Sequence, residues 1–163
     1  MTYLTGLGEH LETLDDVILR TKNFFDEDPQ AQYEVSIGTD AQCYSRVTKY
    51  VTAIVIYKIH NGGILFRQNV YVKGRRPELH EKLIRETTLT IEVAELFIPK
   101  LKKLMKEFGY NIINVYADGD VSSTDGQSSS MKTAVEGMFK SYGLKPRVKP
   151  NAFAASCVAD YYC

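Results

Sequence analysis

Four acidic residues stand where the local pattern points a carboxylate away from open solvent. In Tyr33–Asp40, strand alternation puts Val35, Ile37 and Thr39 on one face and Ser36, Gly38 and Asp40 on the other, so Asp40 emerges beside two small residues that leave room for a ligand. Asp118 directly follows the apolar run Ile112, Ile113, Val115 and alternates in phase with Ile112, Asn114 and Tyr116. At about 100° per residue, Leu83, Thr90, Val93, Ala94, Phe97, Leu101, Leu104 and Phe108 form one helical stripe, and Glu86 falls inside it. Glu92, Glu95, Lys102, Lys103 and Lys106 fall on the opposite, solvated side. A carboxylate on an apolar stripe is costly unless a cation or metal meets it or its pKa rises. Asp160 lies among Ala154, Ala155, Val158 and Ala159, a background that lets backbones approach closely. Each acid also has a plainer reading: a turn for Asp40, an Asx turn for Asp118, helix surface for Asp160, and pairing with Lys82 or Arg85 for Glu86.

Other chemistries find little footing. There is no phosphate-binding glycine loop, HExxH helix or GxSxG elbow. Cys43, Cys157 and Cys163 are odd in number and form no CxxC pair, which argues against structural zinc, redox chemistry and a disulfide framework. His10, His60 and His80 are scattered; His80, near a helix start, could touch a leaving group but reads as surface. Twenty basic and twenty acidic residues give zero net charge, so an anionic ligand needs a local patch. The dense basic segments are Lys73, Arg75 and Arg76 with Lys82 and Arg85, and Lys145, Arg147 and Lys149. The first flanks the start of the Glu86 helix, where its members could contact phosphate; solvated loop charge is the alternative. Most of the eleven tyrosines fall in expected strands and read as packing. Apolar stretches are too short to span a bilayer and the N-terminus carries no signal pattern, so a cytoplasmic protein with no membrane partner is expected.

The elements that must position these acids follow from the same pattern. The 163 residues suit one domain, 1–163, with residues 1–28 as an N-terminal helical extension. Thr13 and Asp16 have the form of a capping box, followed at helical spacing by Leu14, Val17, Ile18, Thr21, Phe24 and Phe25. Tyr33–Asp40, Val47–His60 and Ile64–Lys73 read as three strands in a meander, the last two separated by Asn61-Gly62-Gly63. Glu78–Phe108 reads as a helix opened by Pro77 and closed by Gly109, with Pro99 expected to kink or split it. A strand Asn111–Ala117, a loop Gly119–Ser130, a helix Met131–Tyr142, a short strand Pro146–Lys149 and a helix Ala152–Tyr162 complete the chain. The order α, βββ, α, β, α, β, α predicts an α/β fold with a mixed sheet.

That order, with its four acids, resembles the ribonuclease H-like fold, and the wording of several segments is similar to the YkuK family of predicted ribonuclease H-like nucleases. The matching stretches are DEDPQAQYEVSIGTDAQ (Asp26–Gln42), RETTLTIEVAELF (Arg85–Phe97), INVYADG (Ile113–Gly119) and KPNAFAASCVAD (Lys149–Asp160). The resemblance implies a five-stranded mixed sheet, an antiparallel meander plus parallel strands with helices on both faces, and catalytic, metal-binding roles for Asp40, Glu86, Asp118 and Asp160. Asp120 and Asp125 are the fallbacks for the third position. Clustered carboxylates without histidine or cysteine suit hard cations, Mg²⁺ or Mn²⁺. The resemblance implies two such ions, bridged by Asp40, with Glu86 and Asp118 on one and Asp160 on the other, hydrolysing phosphodiester bonds of RNA, an RNA/DNA hybrid or structured DNA. The alternative is an inactive module on the same scaffold that binds nucleic acid or a protein partner.

Overall fold

The computed structural model describes residues 2–122, 124 and 126–163. A seven-stranded mixed sheet is its frame, in the order β2-β1-β5-β4-β3-β6-β7. The meander is as expected: β3 (Gln32–Cys43), β4 (Val47–Lys58) and β5 (Gly63–Lys73) pair antiparallel. Next to β3 lies β6 (Asn111–Ser122), parallel to it, and β7 (Lys145–Lys149) is parallel to β6.

The sheet has seven strands instead of five because the N-terminal extension is more than a helix. Tyr3–Thr5 (β1) and His10–Leu11 (β2) form a small hairpin that adds to the outer edge of β5. Two- and three-residue strands lack the length for a readable alternation, so only the partner edge of β5 makes them strands. The helix α1 (Leu14–Asp26) starts at the expected box: Thr13 accepts from the Asp16 N–H, and the Asp16 carboxylate accepts from the Thr13 N–H.

The helix α2 (Leu79–Phe108) runs unbroken through Pro99 and ends at Gly109, whose φ of 77° is left-handed. An internal proline costs about 3 kcal/mol, but Phe97 and Leu101 on either side are fully buried. Each contributes roughly 1.5–3 kcal/mol of apolar burial, enough to offset that cost and keep the helix continuous. With α1 and α3 (Lys132–Ser141), α2 covers one face of the sheet. The other face is covered over β3, β4 and β6 by a π-helical segment, Ala154–Ala159, continued by α4 (Asp160–Tyr162). Ala154 and Ala159 pack there on Val51, Ala53 and Val55. The approach is close at Gly38, where a Cβ would lie 2.6 Å from the Ala155 nitrogen and 2.9 Å from Asp118 Cβ.

Candidate metal centre

Parallel pairing between β3 and β6 ends at Gly38 opposite Asp118. Two residues further along each strand, and by alternation on the same face, stand Asp40 and Asp120. The strands carry these two carboxylates past their last shared rung, and Glu86 enters from α2. One carboxylate oxygen each of Asp40, Glu86 and Asp120 lies within 4.8 Å of the others.

The neighbouring residues hold this geometry. Glu86 sits in the buried stripe with Leu83, Thr90, Val93, Ala94 and Phe97, as the periodicity requires. One turn on, Thr90 Oγ1 donates to the Glu86 carbonyl at 3.0 Å and joins a chain of hydroxyls through Thr39 to Thr52, each hydroxyl contact 2.8 Å, that pins α2 to β3 and β4. Lys82, one turn before Glu86, places its Nζ 3.3 Å from Asp40 Oδ1 and 3.3 Å from Glu86 Oε1. Lys149 Nζ approaches Asp120 Oδ1 at 2.7 Å from a more exposed position.

The Glu86 side chain is only 3% exposed, and among the described residues neither of its oxygens has a hydrogen-bond partner. Burial therefore pushes its pKa well above the carboxylate range, helped by the charges of Asp40 and Asp120 and opposed by Lys82. Asp40 is raised as well, first by burial and then by Asp120, again against Lys82. Burial pulls the Lys82 ammonium down, but Glu86 and Asp40 outweigh it and hold the pKa above the ordinary lysine value.

Asp118 lies outside this cluster. It is fully buried and its oxygens are taken: Arg147 donates from Nε to Oδ1 at 2.8 Å and from Nη2 to Oδ2 at 3.0 Å, and the Ala154 N–H donates to Oδ2 at 2.6 Å. The same guanidinium reaches Glu34 at 3.1 Å and Ser36 Oγ at 2.5 Å. Burial still raises the Asp118 pKa, against the Arg147 hydrogen bonds and charge and the Ala154 N–H. Asp160 is also outside: Ala155 and Ala159 turn to the sheet through the wide π-helical turn, and Asp160, the next position, is exposed. The third carboxylate of the cluster is the fallback Asp120, while Asp125 falls outside the described residues. The strand periodicity could have singled out Asp120, since Asp118 and Asp120 alternate in phase once β6 is read through to Ser122 instead of ending at Ala117. In the sequence Arg147 stands out only as part of a basic segment; its pairing with Asp118 follows from the β6–β7 register, which sets the two opposite each other.

The expected nucleic-acid contacts divide in the same way. Lys82 is part of the acid cluster, Arg75 is held by Glu81 at 2.5 and 2.8 Å, and Arg85 lies 3.9 Å from Glu92. Lys73 and Arg76 are exposed without an ion pair among the described residues, as is Arg46 in the β3–β4 turn, whose carbonyl accepts from the Gly74 N–H at 3.0 Å. Lys73 and Arg46 sit at the end of the sheet where β3 ends at Cys43, three residues past Asp40, and Arg76 follows three residues after the end of β5. His80 is exposed.

The mixed α/β sheet is of the kind expected for a ribonuclease H-like protein, and the sequence comparison places the chain in that class. The chain belongs to the ribonuclease H-like family, whose profile matches residues 16–163. It is 27% identical over 165 residues, covering 96% of this chain and 94% of the relative, to a Bacillus subtilis (strain 168) protein named Uncharacterized protein YkuK. Among solved structures it is similar to RNase H1 from the halophilic archaeon Halobacterium salinarum NRC-1, at 12% identity and a TM-score of 0.36, covering 81% of this chain and 99% of that one. No helix among the described residues is long and apolar enough to cross a membrane.

Proposed function

We propose that the protein is a divalent-metal-dependent nuclease that hydrolyses phosphodiester bonds of nucleic acid. The observation that carries this reading is Glu86: a buried carboxylate with no hydrogen bond to either oxygen among the described residues, met only by the Lys82 ammonium at 3.3 Å and grouped with two further carboxylates, is an arrangement a cation would complete. The donors are all carboxylate oxygens, which fits Mg²⁺ or Mn²⁺ better than zinc. Asp40, Glu86 and Asp120 would hold the ion, which when bound activates water and neutralises charge developing on the phosphate. A second ion, implied by the family resemblance, requires a fourth carboxylate, and Asp160 supplies it only by turning in from solvent. Asp118 does not bind metal in this reading; with Arg147 it locks β6, β7 and the C-terminal helix so that Asp120 is presented correctly. Lys73, Arg76 and Arg46 would meet the phosphate backbone at the same end of the sheet.

The test is a cleavage panel of RNA, RNA/DNA hybrid and branched DNA with Mn²⁺ or Mg²⁺, using the parent, Asp40→Asn and Asp120→Asn. Metal-dependent cleavage lost in both variants is expected; cleavage equal in all three, or none with any substrate, would sink the reading. The lysines at the cluster favour a second reading, a module that binds nucleic acid without cutting it, under which Asp40→Asn leaves binding unchanged and no substrate is cleaved.

A further inference from the structure

We propose that Lys82 is a resident cation of the acid cluster, seated between Asp40 and Glu86, and that a divalent ion enters only by displacing its ammonium. This rests on the metal reading of the site. The Lys82 ammonium lies 3.3 Å from an oxygen of each acid, and those two oxygen-bearing groups, with Asp120, define a space only 4.8 Å across. A divalent ion touching the same oxygens would sit within a few ångströms of the ammonium, and two cations that close repel strongly where water is scarce. Both cannot hold the position.

The side chain is built to leave. Lys82 is on the first turns of α2 and spaced i,i+4 from Glu86, so helix geometry brings it to the cluster. Its stem of four methylenes can swing without moving the backbone, and 23% exposure leaves it a route to water. Lys149 differs: it is 44% exposed and grips one oxygen of Asp120 from outside, so it can stay when an ion arrives. Lys82 thus works as a placeholder. It keeps the buried acids compensated in the metal-free protein, and it lowers the apparent affinity for metal by the free energy of its contacts with Asp40 and Glu86.

Mn²⁺ titration by calorimetry of the parent, Lys82→Gln and Lys82→Arg tests this without any substrate. Lys82→Gln is expected to bind Mn²⁺ at least tenfold more tightly than the parent, and Lys82→Arg, which keeps the charge, within a few fold of it. Binding by Lys82→Gln that is equal or weaker overturns the inference while leaving the metal site intact. Binding by the variant alone supports it. No binding by any of the three overturns the metal reading and the inference with it. Should Lys82→Gln fail to fold, lysine acetylation of the parent followed by mass spectrometry gives a second readout. Saturating Mn²⁺ should raise labelling of Lys82 at least fivefold and leave unchanged that of Lys58, which is paired with Asp28 at 2.8 Å. Unchanged labelling of Lys82 in protein that binds Mn²⁺ in the titration overturns the displacement.

Discussion

Asp118 and Asp120 are two residues apart on one strand and one face, yet they have opposite fates. Asp118 is surrounded by donors that face it squarely, with a guanidinium in fork geometry and a backbone N–H on its second oxygen. Asp120 is met by a half-exposed lysine and a long 3.4 Å contact from Ser156 Oγ, and otherwise looks toward Asp40 and Glu86. The contrast separates an acid whose oxygens the protein has already filled from acids whose oxygens are left largely open. The type of residue is the same; what differs is whether the protein has already used the oxygens.

The largest effect should come from breaking the closed pair. Arg147→Ala leaves Asp118 buried without its partner and strands Glu34 and Ser36, so urea unfolding should show a loss of about 3–5 kcal/mol, with no recovery on adding Mn²⁺. A loss below about 1 kcal/mol would mean that the pair is not structural.

Metal should act on the open cluster alone. Mn²⁺ at about 100 times its dissociation constant should stabilise the parent by about 2.7 kcal/mol, read as a rise in melting temperature. Asp120→Asn should abolish this rise. Equal rises in both would remove Asp120 from the site.

A third difference lies in pH. A carboxylate whose folded pKa is raised above its ordinary value of 4.5 keeps its proton after the unfolded chain has lost it. Stability is therefore lost as pH rises from about 4.5 toward the folded pKa. Without metal, the melting temperature should fall across that range, and Glu86→Gln should flatten the fall and melt about 3 °C or more above the parent at pH 8. A variant that melts lower at pH 8 would show that Glu86 is held ionised by Lys82. The smallest effect should follow Lys73→Ala with Arg76→Ala: stability unchanged within about 0.5 kcal/mol, and nucleic-acid affinity reduced with a shallower salt dependence.

Much of the scaffold is legible because it follows local rules. The capping box of α1, the β3–β5 meander and the buried stripe of α2 each come from a periodicity of 2 or 3.6 that one segment displays by itself. Asp40 and Glu86 could be singled out for the same reason, as carboxylates breaking an otherwise apolar or small-residue face. The β1–β2 hairpin could not, because its strands are defined by the β5 edge they join. The continuity of α2 through Pro99 was equally hidden, since burial of Phe97 and Leu101 outweighs the local breaker.

By itself, the sequence determined the order of the longer elements from α1 onward, the buried faces of α1, α2 and β3, and the presence of acids on such faces, since these depend on side-chain spacing along one segment. Only the tertiary structure decided which acids work together. The parallel register between β6 and β7 sets Arg147 opposite Asp118 and consumes it, the parting of β3 from β6 frees Asp40 and Asp120, and the π-helical turn carries Asp160 to solvent. A carboxylate's role depends on which donors reach its two oxygens, and here those donors come from segments about 30 or more residues away in the chain.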